Sequence, residues 1–180
     1  VEFREERPGD ADAVRQVCLR AFGDEGVADL VETLREGMGS GGGFALVAED
    51  AGQVVGHIAF TRSLLDAPRR LVDVLVLSPL GVLPERQRQG IGSALVRAGL
   101  EALGQGESPL LFLEGDPGYY SRFGFVSGAE FGFRKPSLRI PDAAFQVIRL
   151  PAYEPWMTGT LVYSEPFWRH DAVGLRDPDA

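Results

Sequence analysis

The stretch from Val82 to Gln105, VLPERQRQGIGSALVRAGLEALGQ, decides the fold. Val82 ends an apolar, strand-like run, and Pro84 breaks it. Gln87-Arg88-Gln89-Gly90-Ile91-Gly92 then leads directly into a helix pattern. Ser93, Arg97, Glu101 and Gln105 recur at helical spacing and leave only a narrow polar stripe. Such a helix buries most of its circumference, as one lying on a sheet does. The first N–H groups of any helix lack partners within it and carry the positive end of its dipole, so this end is an anion site. Gly90 and Gly92 remove side chains there, and successive N–H groups without Cβ crowding can wrap a pyrophosphate. Arg86 and Arg88 add positive charge in a chain whose net charge is -8.

Two familiar phosphate loops do not fit. A Walker loop needs a Lys after its second glycine, and neither Gly90 nor Gly92 is followed by one. A dinucleotide fingerprint needs a third small residue for close helix packing, and Leu95 stands there. A glycine-rich turn that merely caps a helix remains the plain alternative.

Outward from this stretch the pattern alternates. Val1 to Arg4 reads as a short strand, and Pro8-Gly9-Asp10 opens a helix whose apolar face is Val14, Val17, Cys18, Ala21 and Phe22. A second helix carries Val27, Leu30, Val31 and Leu34, and Met38 to Gly43 is a glycine-rich connection. Phe44 to Ala48 and Gln53 to Phe60 read as strands joined at Glu49-Asp50-Ala51-Gly52. Leu71 to Val82 is a longer strand, and Pro79 and Gly81 weaken pairing near its end. Leu110 to Leu113 is a strand, and Gly115 to Arg122 has room for about two helical turns. Phe131 to Phe133 and Phe145 to Leu150 are late strands; residues 151–180 form an extension of uncertain order. No repeat or linker splits the chain, so residues 1–180 read as one mixed α/β domain. Consecutive middle strands favour antiparallel pairing, and strand-helix-strand from 71 to 113 favours a parallel pair. A mostly antiparallel sheet flanked by helices, splayed at its middle strands, is the expected architecture.

Composition narrows the function. With 44 % hydrophobic and 24 % charged residues, the chain is an ordinary globular protein. No apolar run approaches the ~20 residues of a membrane span, and the start VEFREERPGDADAV lacks the apolar core of a signal peptide. The single Cys18 excludes an internal disulfide and suits a reducing cytoplasm. With His57 and His170 the only histidines, no typical zinc site is legible, and no metal is expected. The acidic balance argues against nucleic-acid binding and is compatible with cationic amine substrates.

A second motif lies downstream: Gly118-Tyr119-Tyr120-Ser121-Arg122-Phe123-Gly124-Phe125. Gln87-x-x-Gly90-x-Gly92 resembles the coenzyme A signature of the GNAT (GCN5-related) N-acetyltransferases, and this second segment resembles the one that ends their Tyr-x-x-x-Gly-Phe pattern. One helix and one strand separate the two, as in that family. With the order of elements, the resemblance covers roughly residues 1–150. Gly115-Asp116-Pro117-Gly118 with the segment above, and Gly56-His57-Ile58-Ala59-Phe60, are most similar to the YhbS-like predicted acetyltransferases. Many family members carry an Asn that contacts the pantetheine at the place held here by Leu113.

The resemblance implies a GNAT-like acyl-CoA N-acyltransferase fold. It also implies direct transfer of an acetyl group from acetyl-CoA, the cosubstrate, to an amine in a ternary complex. Gln87, Arg88, Gln89, Gly90, Ile91, Gly92 and Ser93 are expected to hold the pyrophosphate. Leu80 and Val82 backbone groups are expected to align the pantetheine, the Val82 N–H facing the developing oxyanion. Tyr120 is expected to serve the departing thiolate, with Tyr119 second. For the acceptor's proton the candidates are Glu114, at the end of the strand before Tyr120, then Asp73 and His57; Asp116 has a capping role as its plain reading. A non-catalytic acyl-CoA-binding or regulatory module on the same fold is the rival, because fold does not fix function.

Overall fold

The computed structural model describes residues 1–180. The chain divides into two compact units, Val1–Thr61 with Leu77–Gln105, and Arg62–Val76 with Gly106–Ala180.

The first unit holds β1 (Glu2–Glu5), a 3-10 turn (Pro8–Asp10), α1 (Ala11–Phe22), α2 (Glu25–Gly37), β2 (Gly43–Asp50) and α3 (Ile91–Gly104). It also takes the start of β3 (Gln53–Asp66) and the end of β4 (Leu71–Val82). β1 pairs antiparallel with β2, from Glu2↔Glu49 to Glu5↔Leu46, and β2 pairs antiparallel with β3, from Gly43↔Thr61 to Asp50↔Gln53. The turn between β2 and β3 is tighter than expected, because Glu49 and Asp50 stay in the strand. Only Ala51 and Gly52 turn, both with positive φ (50° and 80°). Two left-handed residues give the hairpin turn whose twist matches that of its strands.

α1 buries Val14, Val17 and Cys18, whereas Phe22, expected on that face, is 44 % exposed. It sits in the last helical turn, and a Cβ on Gly81 would come 3.3 Å from Phe22 Cε2. In α2, Ala28, Leu30, Val31 and Leu34 are buried, and the Asp24 carboxylate accepts from the Gly26 N–H (2.7 Å) at its N-terminus. α3 buries Ile91, Leu95, Val96, Gly99 and Leu103. Its approach to β3 depends on Gly99, where an added Cβ would lie 2.1 Å from the fully buried Phe60 ring. That close approach is the physical content of the narrow polar stripe.

The second unit takes the remainder of β3 and β4, then β5 (Leu110–Glu114), α4 (Pro117–Tyr120), β6 (Val126–Ser127), β7 (Phe133–Arg134), β8 (Phe145–Arg149), β9 (Gly159–Val162) and α5 (Glu165–Arg169). β4 and β5 are parallel, and their register comprises Leu75↔Leu111 and Val76↔Phe112, although β4 runs on to Val82. Pairing thus ends before the strand does. β5 pairs antiparallel with β8, from Leu110↔Arg149 to Glu114↔Phe145, and β9 pairs antiparallel with β3. The Phe112 ring lies 5.2 Å from Phe133 and 5.8 Å from Phe145, centroid to centroid, at the core of this unit.

The two turns expected before Gly124 are present, α4 and a 3-10 turn, Ser121–Phe123, ended by Gly124 at φ 97°. Two expectations change here. Phe131 belongs to a 3-10 turn rather than a strand; Gly132, at φ 81°, redirects the chain before β7. Residues 151–180 are folded into β9 and α5, and bury Leu161, Tyr163, Phe167 and Val173. Mixed α/β architecture with a mostly antiparallel, open sheet and flanking helices is as expected. No helix is long and apolar enough to cross a membrane.

Candidate functional site

The glycine loop starts where the Leu83 N–H donates to the Val55 carbonyl (2.9 Å). Pro84–Arg86 make a 3-10 turn, and Gln87 is extended. Gln87 Nε2 donates to the Val82 carbonyl (3.0 Å), which brings two of the expected site residues together. Gln89 Nε2 donates to the Glu85 carbonyl (3.1 Å). Arg86 pairs with Asp50 (2.7 Å) and Glu85 with Arg20 (2.9 Å). Arg88 (φ 58°) and Gly90 (φ 84°) are both left-handed, and that conformation is costly for arginine. Gln87, Arg88, Gln89 and Gly90 are exposed, Ile91 is buried as an anchor, and Leu80, Val82, Gly92 and Ser93 are half-buried. The Ala94 N–H donates to the Gly90 carbonyl (2.9 Å), so α3 begins on Gly90. A Cβ on Gly90 would meet nothing within 4 Å. The glycine serves the backbone angle and leaves the space above it open.

In the second unit the Asp116 carboxylate accepts from the Gly118 N–H (2.8 Å) and caps α4, which ends in Tyr120. The Tyr120 ring lies 4.9 Å from Tyr119 and 5.8 Å from Phe125, edge-on to both. A Cβ on Gly115 would come 2.5 Å from Tyr120 Cε2, so the ring rests on the residue after Glu114. Burial, with the neighbouring Tyr119 second, pushes the Tyr120 phenol up to about 12. It therefore stays protonated at neutral pH. Tyr119 carries the Arg122 guanidinium 4.5 Å from its ring.

Glu114 is half-buried with both carboxylate oxygens engaged. Oε1 accepts from the Tyr163 hydroxyl (2.9 Å) and Oε2 from the Gly174 N–H (3.1 Å). Burial raises its pKa above the ordinary carboxylate value, and those two hydrogen bonds and Arg139 offset part of the rise. Sequence reasoning missed Tyr163 and Gly174, because contacts across 49 and 60 residues leave no local signal. Leu113, beside Glu114, is fully buried.

The other two candidate bases sit differently. Asp73 is exposed and pairs with Arg62 (2.9 Å) on the surface. His57 is fully buried in the first unit, its Nε2 2.9 Å from Glu6 Oε2, and Glu6 Oε1 accepts from Arg35 Nε (2.5 Å). Burial alone would raise the Glu6 pKa, but hydrogen bonds and charge from His57 and Arg35 outweigh it and hold it low. Nearby, burial pushes the Cys18 thiol up to about 12, which leaves it unreactive.

Known proteins resemble this chain over most of its length. The Acetyltransferase (GNAT) domain model matches residues 41–127, which include the glycine loop, Glu114 and Tyr120. YjhQ, an uncharacterized N-acetyltransferase of Escherichia coli strain K12, is 35% identical over 161 residues, covering 87% of this chain and 88% of that protein. The 1.55 Å crystal structure of YhbS, a GNAT family N-acetyltransferase from Escherichia coli in complex with CoA, superposes with a TM-score of 0.82 at 34% identity, covering 93% of this chain and 92% of that one. A GNAT family acetyltransferase from Brucella melitensis in complex with acetyl-CoA does so with a TM-score of 0.73 at 35% identity, covering 92% and 97%.

Proposed function

This chain belongs to the GNAT N-acetyltransferase family, and from that premise we propose that it moves an acetyl group from acetyl-CoA to a primary amine, by direct attack in a ternary complex. The likeness to CoA- and acetyl-CoA-bound relatives over 92% or more of the chain carries this reading. The free cysteine, buried and unreactive, is compatible with the cytoplasm in which we place the reaction.

Each chemical need has a residue. Backbone N–H groups from Gln87 to Gly92, with Ser93, hold the pyrophosphate, and Arg88 adds charge. Leu80 and Val82 main-chain groups align the pantetheine, and the Val82 N–H polarises the thioester carbonyl. Glu114 takes a proton from the acceptor's ammonium. The freed nitrogen pair attacks the carbonyl carbon, the C–N bond forms and the C–S bond breaks. Nitrogen gives its second proton to solvent as the amide forms. Tyr120 donates to the thiolate as it leaves, and solvent restores that proton.

Gly92→Val is the direct test of the loop. Gly92 lies inside α3 without a positive φ, so the change adds a branched Cβ near the phosphate path without forcing the backbone. Calorimetry should find CoA affinity reduced by at least about tenfold, ~1.4 kcal/mol. Gly90→Val should cost more, because it also strains a residue at φ 84°. Unchanged affinity in folded Gly92→Val protein would remove the loop from the site.

Glu114→Gln tests the base. The rate should fall, and the acid limb of the pH–rate profile should flatten, because the group that must be ionised has been neutralised. A limb that persists unchanged passes the role to water or to another carboxylate.

The rival reading, a non-catalytic acyl-CoA-binding module, draws on Leu113, whose side chain cannot hydrogen-bond the pantetheine. An assay of acetyl-CoA turnover with a panel of amines separates the two, since a sensor binds CoA and releases none.

A further inference from the structure

We propose that Tyr163 and the Gly174 N–H are positioning groups that hold Glu114 in place to take the acceptor's proton. The proposal rests on the reading of Glu114 as the base, and it gives residues 151–180 a part in the chemistry.

Each contact is itself braced. Tyr163 is 5 % exposed, and its ring lies 5.1 Å from Phe167, which is 1 % exposed. Its carbonyl accepts from Trp168 Nε1 (3.2 Å), which ties it to α5. The hydroxyl therefore has little freedom to leave Glu114 Oε1. Gly174 stands at φ 61°, and a Cβ there would come 2.6 Å from the Arg139 backbone. Only glycine lets this N–H reach Oε2. The Leu175 N–H donates to the Arg139 carbonyl (3.0 Å), and Arg139 Nη1 donates to the Val173 carbonyl. The same segment thus fixes the one cation that acts on Glu114.

The groups facing Glu114 divide by sign and origin. Arg139 attracts its charged form, and Tyr163 and Gly174 hydrogen-bond it. Phe145, its β8 partner, brings no charge, and Asp116 is turned to the Gly118 N–H. A carboxylate has about four lone-pair sites, and the two hydrogen bonds use two of them. The carboxylate plane is fixed while acceptor capacity remains. When the base acts, the ammonium N–H breaks, an O–H forms on Glu114, and the electron pair stays on nitrogen. Solvent removes the proton after product leaves.

Tyr163→Phe keeps the ring and removes the hydroxyl. A hydrogen bond to the ionised form lowers a carboxyl pKa, so its loss must raise Glu114 further. With carbon-13-labelled glutamate, the NMR titration midpoint of Glu114, assigned by its disappearance in Glu114→Gln, should move up by about one pH unit. The acid limb of kcat/KM should move up by the same amount. If Tyr163→Phe does not fold, 3-fluorotyrosine at position 163 keeps the hydroxyl and makes it a stronger donor, and both midpoints should move down. A Glu114 midpoint that stays put in either folded variant overturns the positioning role. A midpoint that moves while the acid limb does not overturns the base reading itself, and the proposal with it.

Discussion

Tyr120→Phe should lose roughly 10²- to 10⁴-fold in turnover, the range for one general acid, while its affinity for CoA changes little. The substitution keeps the ring that rests on Gly115 and packs against Tyr119 and Phe125. It deletes only the hydroxyl. With its pKa pushed up to about 12, the phenol is protonated throughout the working range, so it always has a hydrogen to offer a thiolate. The same shift makes it a weaker acid than free tyrosine, so in the proposed role a hydrogen bond to developing charge would supply much of the effect. The rate should therefore show no alkaline limb from Tyr120 below about pH 11. Single-turnover kinetics beside CoA calorimetry checks the split. Equal losses in both would make Tyr120 structural, and an undiminished rate would hand the thiolate to water or Tyr119.

The largest stability effect is expected at Glu6. Its carboxylate, 8% exposed, sits between His57 Nε2 and Arg35 Nε, and both His57 Nδ1 and Arg35 Nη2 are already buried without a partner. Glu6→Ala leaves each ring or guanidinium with a further orphaned nitrogen. Breaking a buried pair from one side costs about 3–5 kcal/mol, against a total of about 5–15 kcal/mol for a typical domain. Glu6→Gln keeps an acceptor and should cost less. The folded pKa of Glu6 lies below its ordinary 4.5, so its contribution is fully present above that value and is lost as pH falls through the folded one. Urea unfolding should show the full gap between parent and Glu6→Ala at pH 7, and a narrower gap below pH 4.5. A gap under about 1 kcal/mol at pH 7 would mean that the cluster behaves as an exposed ion pair.

Legibility in the sequence followed the range of the interaction. The β4 boundaries, Leu71 and Val82, were readable because apolar alternation and glycine punctuation are local. So was α3, whose start needs a left-handed residue and whose buried face repeats at helical spacing. The glycine loop and the Tyr120 segment stand out as motifs because each lies in one continuous run. What was not legible depends on partners far along the chain. Residues 151–180 looked irregular because β9 is short and borrows its pairing from β3 and β7. Phe22 carried the right period but lies at a helix end, where the period no longer predicts cover. Most of what surrounds Glu114 arrives from residues that no spacing rule connects to it.

That last feature has an entropic side. Contacts between residues 49 and 60 positions apart must each meet the entropy of closing a long loop. The hold on Glu114 therefore carries a larger closure cost than a hairpin with a two-residue turn such as β2–β3. It needs two separate pieces of chain in place, Tyr163 after β9 and Gly174 after α5. The environment of the proposed base thus reports on whether the segment from Tyr163 to Gly174 has docked. A protein in which that segment had come away would keep its glycine loop and lose the setting of its carboxylate.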